Sequence, residues 1–503
     1  MTLTMIGLLP LIGALVISAL PKANDKLVKQ VALATTIFVA LASYVMAAGF
    51  DRKEVGLQFY ESYNWISAFG IKYSVGLDGI ALVLILLSVT LAPIVVLAGW
   101  NESDSGRWSV KTFYILILTL ETMMIGVFAA TDVFLFYVFF EAMLVPVYFL
   151  IGGYGTGERA AAAVKFLLYS LFGGLLMLAS IIALYVMSGS QGGHTFDIGA
   201  LSQLQMSKAT QSWLFLGFFI AFAIKAPLWP LHTWLPDAAH SATPGTSVLL
   251  LGVLDKVGTF GMIRYCLTLF PDASRTFTPV ILALSVISII YGAFLAIGQR
   301  DIKRLIAFTS ISHFGFITMG IFAMTSQGQS GATLYMVNHG FSTAALFLVA
   351  GWMISRRKSS TISDFGGLQR VTPVMAWSFF IAGMSSLALP GLSSFVSEFL
   401  VLVGTFTRYP WHAVIATFGI VLAALYILIP VQRALHGPTT PGNESLSDLN
   451  LREKIAIAPV IAVIVALGFF PAPLLNIINP AATATIQAAG FTDPVAKIEQ
   501  GND

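Results

Sequence analysis

Residues 225–265 read KAPLWPLHTWLPDAAHSATPGTSVLLLGVLDKVGTFGMIRY and contain the two features on which the fold depends. The second part of this stretch is apolar for the length of a membrane-crossing helix, yet it carries Lys256 at its centre. The first part places Pro227 and Pro230 directly after Lys225, at the end of another apolar run. A charge inside a membrane helix costs about 2.5–3.5 kcal/mol, and proline interrupts helical hydrogen bonding. Both features therefore need a structural or functional reason.

The composition of the whole chain is that of a membrane protein. Its 503 residues are 57% hydrophobic and 10% charged, and the mean hydropathy is +0.84. Soluble domains carry about 25% charged residues, so the composition predicts an integral membrane protein. The net charge of +3 gives no sign of nucleic-acid binding. The single cysteine, Cys266, excludes an internal disulfide, a multi-cysteine zinc site and a cysteine-ligated iron–sulfur cluster.

Apolar runs of about 20 residues predict an all-α polytopic protein with about fourteen transmembrane helices in a single transmembrane domain, residues 1–503. The predicted spans begin near residues 3, 29, 79, 111, 132, 164, 211, 244, 277, 302, 331, 372, 411 and 454. The first run has no basic residue before it and no cleavage signal, which favours a retained helix. Loops after odd-numbered spans hold sixteen Lys and Arg residues and the other loops hold eight, which predicts that both termini lie on the outer side of the membrane.

Titratable residues lie inside several predicted spans, and proton relays in pumps are built from such series. The six clearest are Glu121, Glu141, Lys225, Lys256, His313 and Glu398. Glu121 and Glu141 lie ten residues either side of Thr131, where two spans turn, so both are expected near the middle of the bilayer. The alternative for each charge is a packing ion pair that fixes helix register.

Three further residues are weaker candidates. His339 is either a relay member or a hydrogen-bonded core histidine. Lys165 is a secondary relay candidate together with Glu121, although Lys165 lies near a span end and could extend its ammonium group to the surface. Asp255 is adjacent to Lys256 and points about 100° away from it, as a possible local counter-ion.

Broken helices and an internal repeat are predicted from proline positions and spacing. Span seven is interrupted by Pro227 and Pro230, and span twelve by Pro390, and interrupted helices at matching positions in two halves indicate an ion site. Glu141 and Lys225 are 84 residues apart, and His313 and Glu398 are 85 apart. The offset of five spans is odd, which predicts two inverted five-helix repeats, spans four to eight and nine to thirteen. The predicted regions are the N-terminal helices (1–110), the first repeat (111–270), the second repeat (271–435), and helix fourteen with a tail (436–503).

The opening stretch closely resembles the signature of the proton-conducting membrane subunits of respiratory complex I and their relatives, the multi-subunit cation/proton antiporters. The same resemblance is carried by FYVFFEAMLVPVYFLIG (136–152), DIKRLIAFTSISHFGF (301–316) and LPGLSSFVSEFLVLVG (389–404), and it extends over most of the chain. It favours a complex I subunit. A subunit of a multi-subunit Na⁺/H⁺ antiporter and an inert membrane scaffold are the alternatives.

The resemblance also implies roles for individual residues. Glu141 matches the fifth-helix glutamate that pairs with the broken-helix lysine, Lys225, and Lys256 matches the connecting lysine. His313 and His339 match the histidines of a central hydrophilic axis, with Glu398 on the exit side. Asp255 departs from the family pattern, which has an apolar residue there, and it places a carboxyl group directly beside Lys256.

For the whole protein, the resemblance implies outward proton pumping in a bacterial plasma membrane. The energy would come from partner subunits that carry NADH, FMN, iron–sulfur clusters and quinone. No cofactor or metal is expected on this chain. The expected partners are other membrane-arm subunits, including antiporter-like neighbours, and lipid.

Overall fold

The computed structural model describes residues 2–21, 24–104 and 106–494, and the described chain is mostly helical. The helices of the first part are α1 Leu3–Ala19, α2 Asp25–Ala48, α3 Gly79–Ala98, α4 Val110–Ala129, α5 Val133–Tyr154, α6 Arg159–Gly189, α7 Lys208–Lys225, α8 Trp234–Ser241 and α9 Pro244–Leu267. Those of the second part are α10 Pro271–Ile297, α11 Ile302–Phe322, α12 Ser326–Arg357, α13 Pro373–Ser386, α14 Ser393–Phe406, α15 Pro410–Leu435, α16 Leu451–Phe469 and α17 Ala472–Ala488. Short helical turns occur at Ser67–Phe69, Ile198–Leu201, Ile362–Asp364 and Leu368–Val371.

The structure supports a multi-pass membrane protein. Within the described residues, ten helices are long and apolar enough to cross a membrane, or eleven if the bent pair α16–α17 forms one span. The predicted count of fourteen is larger because it also includes α1, which has 17 residues, and the interrupted segments α7–α8 and α13–α14. Two of the residues behind the predicted orientation, Lys22 and Lys497, lie outside the described residues.

A β-hairpin departs from the predicted all-α fold. Strand β1 (Gln58–Ile66) pairs antiparallel with β2 (Ile71–Leu77), where only a polar loop was expected. The turn between them ends at Gly70, whose φ of 66° favours glycine. The hairpin is anchored because Ser74 shares a hydrogen bond of 2.8 Å with Thr131, in the turn between α4 and α5.

The C-terminal tail is also more ordered than predicted. Helix α17 follows α16 after a bend of 70° and packs against α3 and α12. Its buried residues Ile478, Ala482 and Ile486 recur every four positions, so they share one face of the helix. Burial of that apolar face stabilises a second helix in a region predicted to contain only helix fourteen and a tail.

Three helices form the centre of the molecule. Helices α9, α11 and α12 are buried over almost their whole length, whereas most residues of α2, α6 and α15 are not buried inside the protein. Helix α9 contains two π-helical turns, Leu250–Leu254 and Met262–Leu267, on either side of Asp255–Gly261. Such widened turns often occur at functional sites because they leave carbonyl groups free to accept other donors.

Candidate functional site

Glu141 and Lys225 lie at two helix interruptions in the first half. Glu141 precedes a break at Met143 in α5, where Pro146 lacks the N–H that would bond the Ala142 carbonyl group. Lys225 is the last residue of α7, and the chain continues without regular helix through Pro227 and Pro230 to α8. The C-terminal end of a helix carries a partial negative charge. The break after α7 therefore leaves Lys225 where its positive charge is stabilised.

The predicted pairing of these two residues is not a direct ion pair. No contact within 4.0 Å joins the Glu141 carboxylate to the Lys225 ammonium group. The buried Lys225 Nζ has no hydrogen-bond partner among the described residues and lies 4.7 Å from the centre of the Phe140 ring. The Glu141 carboxylate lies against α6 at Gly174, where a Cβ atom would overlap it. The Lys225 ammonium group therefore packs against an aromatic face, and the Glu141 carboxylate makes no direct contact with it.

Two further buried carboxylates are also unpaired. Asp255 and Glu121 are fully buried, and neither has a hydrogen-bond partner within the described ranges. Asp255 makes no hydrogen bond with its neighbour Lys256, so the residue that departs from the family pattern is buried beside a lysine with which it does not pair.

Lys256, in α9 of the predicted first repeat, begins a hydrogen-bonded series that leads into the second repeat. Its Nζ contacts the Leu251 carbonyl group, in the first π-helical turn of α9, and His339 Nδ1 on α12 at 2.7 Å. The other ring nitrogen, His339 Nε2, is 3.2 Å from Ser310 Oγ and 3.1 Å from Thr343 Oγ1. The structure thus places two predicted relay residues, Lys256 and His339, in direct contact.

His313 and Glu398 belong to a second hydrogen-bonded segment. Tyr335 on α12 lies between them, with its hydroxyl oxygen 2.6 Å from His313 Nδ1 and 2.8 Å from Glu398 Oε2. His313 Nε2 is 3.2 Å from Ser386 Oγ, at the end of α13. The His313 and His339 ring centres are 5.4 Å apart, and the hydrogen bonds of the described chain do not join these two rings directly.

The proline-marked break in the second half lies next to this segment. Helix α13 ends at Ser386 and α14 begins at Ser393, with Pro390 between them. Glu398 follows in α14 and is almost fully buried. The interruption brings the end of α13 and the start of α14 to the same polar centre.

Lys165 is remote from the hydrogen-bonded series. Its ammonium group pairs with Asp237 of α8 at 2.7 Å, and Asp237 also binds Arg304 of α11 at 2.8 Å. The Lys165 and Asp237 side chains are 36% and 34% exposed. The lysine therefore joins helices α6, α8 and α11 at the edge of the molecule.

Sequence reasoning missed Tyr335 and the hydroxyl groups around the histidines. One signal was present, because Tyr335, His339 and Thr343 follow one another at four-residue spacing and so share one face of α12. Tyrosine is common in membrane helices, and its residue type alone does not separate a hydrogen-bonding role from packing.

A separate charged group caps α11 outside the spans. Asp301 accepts a hydrogen bond from the Arg304 backbone N–H at 2.9 Å, and its carboxylate is 3.2 Å from His240 Nδ1. Burial raises the pKa of Asp301, but the adjacent His240 ring, the Ser360 side chain and the hydrogen bond from the Arg304 backbone N–H outweigh burial and bring the pKa to about 2. The carboxylate is thus held ionised at the start of a central helix.

Comparison with known proteins identifies the family. Residues 130–423 match the family described as NADH:quinone oxidoreductase/Mrp antiporter, TM. The chain belongs to this family, so the resemblance indicated by its motifs is confirmed. Within the family it is of the subunit M type.

Three individual proteins are similar to the chain over nearly its whole length, and the first of them carries the subunit M name. NADH-quinone oxidoreductase subunit M of Mycobacterium tuberculosis is 49% identical, covering 99% of this chain and 96% of the relative. A chain of respiratory complex I from Thermus thermophilus superposes with a TM-score of 0.88 at 29% identity, covering 97% of this chain and 100% of that one. A chain of the Mrp complex from Dietzia sp. DQ12-45-1b has a TM-score of 0.83 at 20% identity, covering 97% and 99%, which is a likeness of fold alone.

Proposed function

We propose that the chain conducts protons as the antiporter-like subunit M of NADH-quinone oxidoreductase, in a bacterial plasma membrane, with electron transfer in other subunits as the energy source. The observation that carries the proposal is a pair of buried hydrogen-bonded segments, Lys256–His339 and His313–Tyr335–Glu398, whose histidine ring centres lie 5.4 Å apart. The members of these segments come from helices α9, α11, α12 and α14, and proton relays in membrane proteins are built from such series of buried titratable groups.

The proposed path begins at Glu141 and Lys225 and continues through Lys256, His339 and His313 to Glu398. In the first half, movement of the Glu141 carboxylate relative to Lys225 changes how strongly the ammonium group holds its proton. A buried ammonium group that loses a nearby negative charge releases its proton more readily. Asp255 links this change to Lys256, because it is adjacent to Lys256 in α9 and is buried without a hydrogen-bond partner among the described residues. Glu121 and Lys165 stay outside the path as secondary candidates.

The finer architecture belongs to the same proposal. The helical segments are grouped into fourteen spans, with inverted repeats at spans four to eight and nine to thirteen and with both termini outside. The L-like and N-like antiporter subunits are the neighbours in the membrane arm, and NADH, FMN, iron–sulfur clusters and quinone reside in partner subunits. The breaks of α7–α8 and α13–α14 support the repeat, since the first directly follows the buried Lys225 and the second lies shortly before the buried Glu398.

The Na⁺/H⁺ antiporter alternative rests on the fold shared with the Mrp chain. Purification of the tagged chain in mild detergent, mass spectrometry of its partners and assay of NADH:quinone activity separate the two. Flavin and iron–sulfur subunits with activity support the proposal, whereas recovery with small antiporter subunits alone contradicts it.

Alanine substitution tests the relay itself. Lys225→Ala and Glu141→Ala are expected to abolish proton pumping while the complex stays assembled. The inert-scaffold alternative predicts that the buried charges can be replaced by apolar residues without loss. Full pumping in both variants would therefore exclude the relay.

A further inference from the structure

Tyr335 occupies the position between two proposed relay residues that do not hydrogen-bond each other. We propose that its hydroxyl group is itself a proton-transfer group, which passes protons from His313 to Glu398. The inference rests on the proposed proton-conducting function and adds a residue to its final step. A purely structural tyrosine would only fill space and hold Glu398 in place.

The position of the hydroxyl group supports transfer. Tyr335 is fully buried, and its oxygen contacts His313 Nδ1 at 2.6 Å and Glu398 Oε2 at 2.8 Å. Both distances lie within hydrogen-bonding range. The ring is fixed by packing, since its centre is 6.3 Å from that of Phe316 and 5.6 Å from that of His313. A fixed ring holds the hydroxyl group where both neighbours can reach it.

Hydrogen-bond donation orders the protons in this segment. The Tyr335 hydroxyl donates to Glu398 Oε2, so the tyrosine oxygen is left to accept from His313 Nδ1–H. His313 Nε2 then accepts from the Ser386 hydroxyl group in the neutral ring. Every donor in the segment therefore points along the chain of bonds toward Glu398.

The transfer step conserves protons and needs no further reactant. When His313 is protonated, its Nδ1–H bond breaks as a new O–H bond forms on Tyr335. The original Tyr335 O–H bond breaks at the same time, and its proton forms an O–H bond on the Glu398 carboxylate. The tyrosine is neutral before and after the step. After Glu398 releases the proton, His313 carries its remaining proton on Nε2. Rotation of the Tyr335 hydroxyl group, together with tautomer exchange or rotation of the His313 ring that returns a proton to Nδ1, restores the starting state.

The test is Tyr335→Phe in the intact complex, reconstituted in vesicles, with protons pumped per NADH oxidised as the readout. The substitution removes one oxygen and keeps the ring. We expect at least about a tenfold loss of pumping, since a positioned transfer group is lost. The matched control is Tyr265→Phe, because Tyr265 is also fully buried and its hydroxyl group has no hydrogen-bond partner among the described residues.

The parallel variant Glu398→Ala separates this inference from the proposed function. Loss of pumping in both Tyr335→Phe and Glu398→Ala, with Tyr265→Phe normal, supports the transfer role. Normal pumping in Tyr335→Phe with loss in Glu398→Ala overturns the role of Tyr335 alone. Normal pumping in Glu398→Ala overturns the relay as a whole.

Incorporation of 3-fluorotyrosine at position 335 gives a second measurement if the Phe variant does not assemble. Fluorine makes the phenol a stronger donor to Glu398 and keeps the hydroxyl group. We expect pumping to continue, and the pH below which pumping is lost to become lower. The reason is that a stronger hydrogen bond from the tyrosine hydroxyl group favours the ionised form of the Glu398 carboxylate. The same substitution at Tyr265 is expected to leave the pH profile unchanged. Identical profiles for both positions would overturn the inference.

Discussion

The two halves of the buried charged series differ in how their polar groups are satisfied. In the first half, Lys225 and Asp255 have no hydrogen-bond partner within the described chain, and the Glu141 carboxylate stays apart from Lys225. In the second half, Lys256 bonds His339, and Tyr335 joins His313 to Glu398. The first half contains separated charges, and the second contains an almost continuous set of hydrogen bonds.

This difference assigns different physical tasks to the halves. Unpaired buried charges are energetically expensive, so a small displacement of a helix break changes their energies strongly. A satisfied polar network is rigid and keeps its donors and acceptors aligned. The first half is therefore suited to respond to an external conformational change. The second half is suited to conduct a proton once that change has occurred.

The largest expected effect is on conduction through the second half. His339→Leu removes the acceptor of the Lys256 contact and the link toward Ser310, and we expect proton pumping to fall by about a hundredfold. The readout is the quench of a pH-sensitive dye in vesicles that contain the complex. His194→Leu, in the exposed loop after α6, serves as the control and should pump normally. Normal pumping by His339→Leu would show that the hydrogen bonds are structural only.

Stability should respond in opposite directions to the removal of a hydrogen-bonded buried carboxyl group and of an unpartnered one. Glu398→Met removes the acceptor of the buried Tyr335 hydroxyl group, and we expect a loss of about 1–3 kcal/mol. Glu121→Met removes a buried carboxyl group without partners among the described residues, so we expect stability to be unchanged or to rise by about 1–2 kcal/mol. Thermal dissociation of the purified complex measures both. Equal destabilisation by the two substitutions would contradict the distinction between satisfied and unsatisfied groups.

A smaller effect is expected at the start of α11. Asp301→Ala removes the N-cap bond to the Arg304 N–H and should cost about 1 kcal/mol, measured as faster hydrogen exchange in the first turn. With a pKa near 2, below its ordinary value of 3.8, the carboxylate stabilises the fold above pH 3.8 and loses this contribution as the pH falls toward 2. Asp301→Asn keeps a cap and should exchange more slowly than the Ala variant. Equal exchange in both would rule out the cap.

The smallest effect is expected at Lys165. Its ion pair with Asp237 is partly exposed, so Lys165→Met should change stability by less than about 1 kcal/mol and leave pumping intact. The assays are the same thermal and vesicle measurements, with Lys225→Ala as the comparison. Loss of pumping comparable to that of Lys225→Ala would add Lys165 to the relay.

Much of the membrane architecture was predictable, because the length of an apolar run and the position of a proline determine where a helix begins and ends within a short segment of sequence. The breaks at Pro227 and Pro390 fall between helices, where proline removes a backbone donor. The hairpin β1–β2 was missed because a polar segment between spans carries little information about strand pairing. Helix α17 was missed because its order depends on burial against α3 and α12.

The candidate site was predictable only as a set of residues. Lys225, Lys256 and Glu398 are conspicuous because a charge in an apolar run is rare. The hydrogen-bond partners of these residues cannot be identified from the sequence, since Lys256 contacts His339, which lies 83 residues further along the chain. Tyr335 is inconspicuous among many membrane tyrosines until its hydroxyl group is seen between two other relay candidates.

The sequence by itself determined that the chain spans a membrane many times, where its helices are interrupted and which buried residues can carry charge. These properties follow from composition and backbone chemistry within short segments. Only the tertiary structure decided that Glu141 and Lys225 stay apart while Lys256 contacts His339. The physical reason is that hydrogen bonds depend on ångström distances between different helices, and those distances are set by the packing of the whole chain.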